Sequence, residues 1–310
     1  MLNDWMQSGE YFSYSKHNSS YEIFYCDSEK LEANKGDKPV LLLIHGFPTA
    51  SIDWQHLWPQ LAKHFRVITL DMIGFGLSDK PLNYSYSIAD QADIFQCLLK
   101  QLNIKKYHLL AHDYGDTVAQ ELIARQSDAL EIPAEKKILS CILLNGGLFP
   151  ETHRPVLMQK LLISRLGPWL IKLYSLKKFS KVFATICAQP IAEEELKVYW
   201  NLLELNNGLA VMPKLIRYMT ERREHRSRWV GALQQGTMPL RLIDGIADPI
   251  SGQHMVERYR QLVPNPDVIE LSEVGHYPQV EAPQQVLAAA LEFWRLHKVI
   301  GVVVDEPKST

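Results

Sequence analysis

The chain is predicted to be an α/β protein, a mostly parallel, doubly wound sheet interrupted by an all-helical insertion. Three observations carry this expectation. Apolar runs of strand length alternate with helical patterns from Val40 to Leu144 and again from Leu240 to His297. Runs such as Val40–Ile44 are apolar throughout, as strands of parallel sheets buried on both faces are. Between residues 148 and 234 no strand-like run of comparable strength occurs, and helical patterns there break at Gly167-Pro168, Pro190 and Pro213. With 310 residues, 46% of them hydrophobic, one large domain with an insertion can bury a sizeable core. The expected organisation is a core domain of residues 1–147 and 235–310 and a helical cap of residues 148–234.

The elements follow in order. Tyr11–Tyr14 and Tyr21–Cys26 are β-type runs around the polar Lys16–Ser20 and predict a hairpin. Leu31–Lys38 is a charged loop. Val40–Ile44 is the first buried strand and ends at His45-Gly46-Phe47-Pro48. A helix is expected over about Trp54–His64, then a strand over Val67–Leu70. The Gly74-Phe75-Gly76-Leu77-Ser78 stretch departs from the G-x-G-x-x-G phosphate loop, has no helix directly after it, and reads as a turn. Ile88–Leu102 reads as a helix. Tyr107–Ala111 is a short buried strand, and Val118, Leu122 and Ile123 fall on one helical face directly after it. Ile138–Leu144 is a further strand, ending at Asn145-Gly146-Gly147. After the insertion come a strand over Leu240–Asp244, a helix near His254–Leu262, a strand over Val268–Leu271 and a helix from Pro283 to His297. Val302–Thr310 is polar and is expected to fray.

Composition excludes several classes. The formal net charge of −2 gives no reason to expect nucleic acid. Cys26, Cys97, Cys141 and Cys187 are widely spaced in apolar segments and form no C-x-x-C pair, so reduced, buried thiols in a cytoplasmic protein are expected. Residues 1–14 contain Asp4 and Glu10 and no basic stretch leading into an apolar run, so no signal peptide is expected. No run approaches the roughly 18 apolar residues of a transmembrane helix. The insertion holds 14 Lys and Arg against 7 Asp and Glu, much of the excess in Arg217, Arg222, Arg223, Arg226 and Arg228. That excess is either a solvated helix face or an electropositive cap that attracts anionic substrates or a membrane surface.

The chemistry centres on Ala111-His112-Asp113-Tyr114-Gly115. Strand and helix leave room only for a sharp turn, and small residues stand two before and two after Asp113. This is the spacing of a nucleophile elbow, with aspartate as the nucleophile; the plain alternative is a surface loop whose Asp caps the helix. A nucleophilic carboxylate leaves a covalent ester, whose hydrolysis needs a base of near-neutral pKa. His276, in Gly275-His276-Tyr277-Pro278 after the last predicted strand, would lie on the same sheet edge. Asp248, in the loop after Leu240–Asp244, would fix the histidine's tautomer. Asp244 would be the last strand residue with a less free side chain, and Asn145 takes the other place where an acid is sometimes found. The backbone N–H groups of Phe47 and Tyr114 would form the oxyanion hole. His45 and His112 lie near the elbow, but no second pair has metal-ligand spacing. No metal and no other cofactor are expected.

His45-Gly46-Phe47-Pro48, Asp71-x-x-Gly74-Phe75-Gly76-x-Ser78-Asp79-Lys80-Pro81, His112-Asp113-Tyr114-Gly115 and Gly275-His276-Tyr277-Pro278 together resemble the epoxide hydrolase and haloalkane dehalogenase branch of the α/β-hydrolases. The resemblance covers nearly the whole chain. It implies an α/β-hydrolase fold, an Asp nucleophile, a helical cap over the site and no cofactor. There are departures. Haloalkane dehalogenases hold the halide with a Trp after the nucleophile and often an Asn or second Trp, where this chain has Tyr114 and Phe47. The Arg that follows the nucleophile in fluoroacetate dehalogenases is also absent. Epoxide hydrolases protonate the leaving oxygen with cap tyrosines, and Tyr174, Tyr199 and Tyr218 are available. Tyr218 lies beside the apolar stripe Met212, Leu215, Ile216, Met219 and is the first choice, with Tyr174 the second; the alternative for both is simple packing. The expected function is a hydrolase opening epoxides of small molecules to diols. Haloalkane dehalogenase, a non-catalytic ligand-binding protein and a cofactor-free oxygenase on the same scaffold are the alternatives.

Overall fold

Leu41, Leu42, Leu43 and Ile44 are fully buried, and the strand they form, β3 (Val40–Ile44), lies inside an eight-stranded sheet. The computed structural model describes residues 2–30, 37–128, 137–236 and 238–301. The other strands are β1 (Gly9–Lys16), β2 (Ser19–Asp27), β4 (Arg66–Leu70), β5 (Lys106–His112), β6 (Lys137–Leu144), β7 (Leu240–Gly245) and β8 (Asp267–Leu271). Their spatial order is β1-β2-β4-β3-β5-β6-β7-β8. The β1–β2 hairpin is antiparallel and joins β4 antiparallel, while every pair from β4 to β8 is parallel. The register sets Ile44 beside Ala111, His112 beside Leu144 and Leu144 beside Ile243. The loops after β3, β5, β6 and β7 therefore leave one sheet edge side by side, where open α/β sheets place their sites.

Helices α1 (Leu2–Gln7), α2 (Trp58–His64), α3 (Ile88–Gln101) and α4 (Tyr114–Asp128) belong to the first part of the chain. Between β6 and β7 run α5 (Leu157–Ile163), α6 (Gly167–Leu170), α7 (Leu176–Ile186), α8 (Glu193–Glu204), α9 (Gly208–Leu215), α10 (Tyr218–Glu224) and α11 (Arg226–Gln234). No strand occurs among them in the described residues. Helix α11 lies against α4, burying Trp229, Val230 and Leu233, and Trp229 Nε1 donates to Glu121 Oε2 at 2.8 Å. The chain closes with α12 (Gln253–Leu262), α13 (Pro278–Glu281) and α14 (Pro283–Leu296).

Three details differ from the sequence reading. The helix expected over Trp54–His64 is a 3-10 turn (Ser51–Trp54) followed by α2, with Pro59 in its first turn, where a missing N–H costs no helical bond. The stripe Met212–Met219 spans two helices, and the chain turns where Arg217 N–H bonds back to Lys214. Helix α1 has no counterpart in the sequence pattern: Trp5 holds it down, its ring centroid 5.3 Å from that of Trp58 and its Nε1 donating to Ser51 Oγ at 3.1 Å. The expectations for Leu31–Lys38, over its first six residues, and for Val302–Thr310 lie outside the described residues. Cys26, Cys97, Cys141 and Cys187 are all free thiols, Cys26 and Cys141 buried as expected and Cys97 and Cys187 only half-buried, and no described helix is long and apolar enough to cross a membrane.

Candidate active site

β5 ends at His112 and α4 begins at Tyr114, so Asp113 alone makes the turn. Its φ is 48°, in the left-handed region that few non-glycine residues enter and that Asp tolerates better than most. Its N–H donates to the Leu144 carbonyl at 3.1 Å and its carbonyl accepts from Asp116 N–H at 3.2 Å. Gly115 is needed here because a Cβ would lie 2.3 Å from the Ile44 carbonyl oxygen. The Asp113 side chain is buried, and its Oδ2 accepts from Phe47 N–H at 3.1 Å. The positive end of the α4 dipole also faces this carboxylate.

His276 lies in the loop between β8 and α13. Its N–H donates to the Ile186 carbonyl at 2.9 Å, and its own carbonyl accepts from His112 Nε2 at 2.7 Å. His112 thus ties the elbow to the histidine loop. Nδ1 of His276 donates to Asp248 Oδ2 at 2.7 Å. Asp248 Oδ1 accepts from Ile250 N–H at 2.7 Å, and its Oδ2 from Ser251 Oγ at 2.9 Å and Asn145 Nδ2 at 3.2 Å. Asn145 also exchanges two bonds with the Gly245 backbone, at 3.0 and 2.8 Å. Asn145 therefore orients the acid that follows β7. Asp244 is fully buried in β7, its carboxyl oxygens without a hydrogen-bond partner among the described residues.

Burial opposes charge at each of these groups, and neighbouring charges decide the outcome. Burial pulls the His276 imidazolium down, but Asp248, by charge and hydrogen bond, and then Asp113 lift its pKa to about 9. Burial pushes the Asp113 carboxyl up, but the charges of His276 and Arg222 hold it below the ordinary 3.8. Asp248 is likewise pushed up by burial and held low by His276. Both carboxylate charges thus favour the protonated imidazole, and the imidazole favours both carboxylates.

Residues 39–283 match the family model of the alpha/beta hydrolase fold. The chain belongs to the α/β-hydrolase family. It is 40% identical over 302 residues to mesoderm-specific transcript protein of Mus musculus, covering 94% of this chain and 87% of that protein. In the sequence, His112–Leu122, Asn145–Pro155 and Arg228–Leu233 point to that relative. It is 26% identical over 273 residues to haloalkane dehalogenase 2 of Mycobacterium bovis, covering 84% of this chain and 89% of that one. The crystal structure of haloalkane dehalogenase DbeA from Bradyrhizobium elkani superposes with a TM-score of 0.74 at 20% identity, covering 94% of this chain and 98% of that one. The last likeness is one of fold.

This α/β-hydrolase walls its site with aromatic rings. Ring centroids lie 6.2 Å apart for Phe47 and Phe75, 5.4 Å for Phe75 and Tyr114, and 4.8 Å for Tyr114 and Tyr218. Phe75 comes from the Gly74–Ser78 turn, which is held by Asp71 accepting from Ser51 N–H at 2.8 Å and Leu77 N–H at 2.6 Å. Tyr218 is buried, and the polar group that reaches its hydroxyl is the Arg222 guanidinium, outside full hydrogen-bond geometry. Burial, then the nearby Asp113 charge, raise its pKa and keep it protonated. Tyr174 packs on Trp200 at 5.7 Å and faces a cavity of about 40 Å³ together with Phe47, Phe183 and His276. Tyr199 donates to Glu195 Oε1 at 2.7 Å inside the cap. A larger groove, about 330 Å³, is lined by Ile123, Leu233, Pro239 and Val263 and holds none of the expected site residues. Among the described residues no three His, Cys, Asp or Glu side chains are arranged to hold a metal ion.

Arg222 departs from the solvated-face alternative for the basic cap. Only 3% exposed, it donates from Nε to Thr117 Oγ1 at 2.7 Å and from Nη2 to the Asp113 carbonyl at 3.0 Å. Its guanidinium lies 4.5 Å from the Tyr218 ring centroid, and Nη1 has no partner among the described residues. A Cβ on Gly147 would stand 2.2 Å from that Nη1, so glycine there makes the room. The signal was present: Tyr218 and Arg222 are four residues apart on one helix face. Arg226 pairs with Glu151 at 2.5 Å, and Arg228 pairs with Glu121 at 2.8 Å and with Asp128. These three arginines are neither a free electropositive field nor a plain solvated face.

Proposed function

We propose that this hydrolase opens epoxides to diols through a covalent ester on Asp113. Oδ1 of Asp113 attacks a ring carbon, the carbon–oxygen bond breaks, and the ring oxygen takes the hydroxyl proton of Tyr218. Esterification removes the Asp113 charge that helps hold His276 protonated. The His276 pKa then falls, and its proton returns to the Tyr218 phenolate. Neutral His276 takes a proton from water, which attacks the Asp113 Cγ; the oxyanion meets the N–H groups of Phe47 and Tyr114. Collapse expels the substrate alkoxide, which takes the proton of the newly added hydroxyl, so the diol leaves and Asp113 is again a carboxylate. Asp248 holds the imidazole throughout.

The observation that carries the epoxide assignment is the buried hydroxyl of Tyr218, which feels the Asp113 charge and has only the Arg222 guanidinium as a polar neighbour, so it keeps a proton to give. Phe47 offers a halide no side-chain donor, and the Tyr114 ring is packed against Phe75 and Tyr218, which argues for dehalogenase as the lesser activity. The complete set of Asp113, Asp248 and His276 argues against a pure ligand binder. Residues 148–234 serve as the cap in this reading, joined back to the core through α11. The buried Arg222 guanidinium, 3.7 Å from the Asp113 carboxylate, favours a small substrate that carries an anionic group. Four free thiols suit a reducing compartment such as the cytoplasm. A screen of small epoxides and haloalkanes, with product analysis in isotopically labelled water, tests the reading. Diols carrying label are expected; faster turnover of bromo- or chloroalkanes than of any epoxide overturns the assignment.

A further inference from the structure

The cap carries a surface that neither the core nor the site uses. Helix α5 buries Gln159 and Leu162 and turns Met158 to the cavity. Its other side shows Leu157, Leu161 and Ile163, which are 72%, 38% and 40% exposed. The chain goes on to Leu166, Trp169 and Leu173, at 63%, 70% and 67% exposure. A helix that is apolar on both sides needs a second apolar neighbour. The other exposed large apolar side chains among the described residues, such as Met6, Leu82 and Leu296, are scattered along the chain and need no such explanation.

Charge points to what the neighbour is. From Thr152 to Ala192 the chain has no Asp or Glu and seven Lys or Arg, among them Lys160, Arg165, Lys172 and Lys181. All seven are exposed, and none makes an ion pair among the described residues, unlike Arg226 and Arg228. Lys172 Nζ stands 5.0 Å from the Trp169 ring centroid, so cation and indole occupy one spot. A second copy docked on this face would set like charges against each other. Exposed leucines with a tryptophan, in a stretch of chain that carries cations and no carboxylate, fit an anionic lipid surface.

We infer that residues 157–173 dock the cap on anionic bilayers. Leu166, Trp169 and Leu173 enter the acyl boundary, and the lysines meet lipid phosphates. The element lies in the interface and does not span it. The inner side of α5 lines the cavity that also holds Phe47 and His276, so docking sets that wall against the bilayer. This inference is independent of the epoxide assignment.

Flotation of the full chain with vesicles tests it. One set is phosphatidylcholine alone and the other phosphatidylcholine mixed with phosphatidylglycerol. Wild-type protein is expected to float with the anionic set, less so as salt rises. Both Leu166→Ser/Trp169→Ser/Leu173→Ser and Lys172→Glu/Lys177→Glu/Lys181→Glu should bind at least about tenfold more weakly. Thermal unfolding of both variants should match wild type, since all six side chains are exposed. Wild-type protein that stays soluble with anionic vesicles, or floats equally with both sets, overturns the inference. So does sedimentation velocity showing a wild-type dimer that the serine variant dissolves, which would make a second copy the occupant.

Discussion

Nη2 of Arg222 lies 3.0 Å from the carbonyl oxygen of Asp113 and 3.7 Å from its carboxylate Oδ1. A cap side chain thus contacts both the backbone turn and the charge of the candidate nucleophile. Arg222→Met removes a positive neighbour that lowers the Asp113 pKa, so the pKa should rise. The acid limb of kcat/KM should move to higher pH, and the alkylation rate should fall about ten- to a hundredfold, the equivalent of a lost charged hydrogen bond. An unchanged acid limb would leave Arg222 with a packing role only.

The raised pKa of His276 gives a second test. Asp248 and Asp113 hold it at about 9 against burial. Asp113→Asn mimics the loss of charge on esterification. In an NMR titration the wild-type imidazole should lose its proton near pH 9 and the variant at a clearly lower pH. The same shift links to stability. A folded-state pKa above the ordinary 6.5 contributes stability that is present below that value and lost as pH rises through about 9. His276→Gln should flatten that decline in thermal unfolding.

Asp116 should behave in the opposite way to a paired carboxylate. It is fully buried, and the backbone groups of Leu144 and Gly146 and the Arg222 charge compensate its carboxyl only in part. Burial, then the Asp113 charge, raise its pKa well above 3.8. The folded state therefore binds more protons than the unfolded state, and stability falls as pH rises past the unfolded value. Asp116→Asn should raise the melting temperature at neutral pH and reduce its fall as pH rises above the ordinary carboxyl range of about 4. A variant less stable than wild type at pH 7 would show that the carboxyl has a partner that amide cannot replace.

Tyr218→Phe separates packing from acid catalysis. The ring contacts with Tyr114 and Phe47 survive the change. Epoxide turnover should fall about a hundredfold or more, the range for a lost general acid, with the melting temperature unchanged. Equal turnover would return Tyr218 to the role of a packed ring and shift attention to Tyr174.

The sheet was legible because its strands are continuous apolar runs: Val40–Ile44 coincides with β3, and Ile138–Leu144 lies within β6. The geometry around Asp113 could be read because a one-residue turn leaves room only for small neighbours, as the contact of Gly115 with Ile44 shows. Asp248 could be chosen over Asp244 because a strand residue lacks the reach, and only Asp248 bonds His276. The role of Arg222 is not legible, because a run of arginines reads as solvated face or electropositive cap alike until the fold shows which one faces inward. The support from Asn145 and His112 was not legible either, since both act through loops brought together only by the parallel register. Helix α1 escaped notice because a six-residue helix has little periodicity of its own and depends on the Trp5–Trp58 contact.

The covalent step on Asp113 is the centre of the account, and intact-protein mass spectrometry of His276→Gln tests it most directly. Without the base, attack by Asp113 still forms the ester, but water cannot be activated to cleave it. Incubation with a reactive epoxide should raise the protein mass by one substrate molecule, peptide mapping should place the adduct on Asp113, and turnover should stop. An adduct on another residue, or full turnover by the variant with no adduct, would contradict the account.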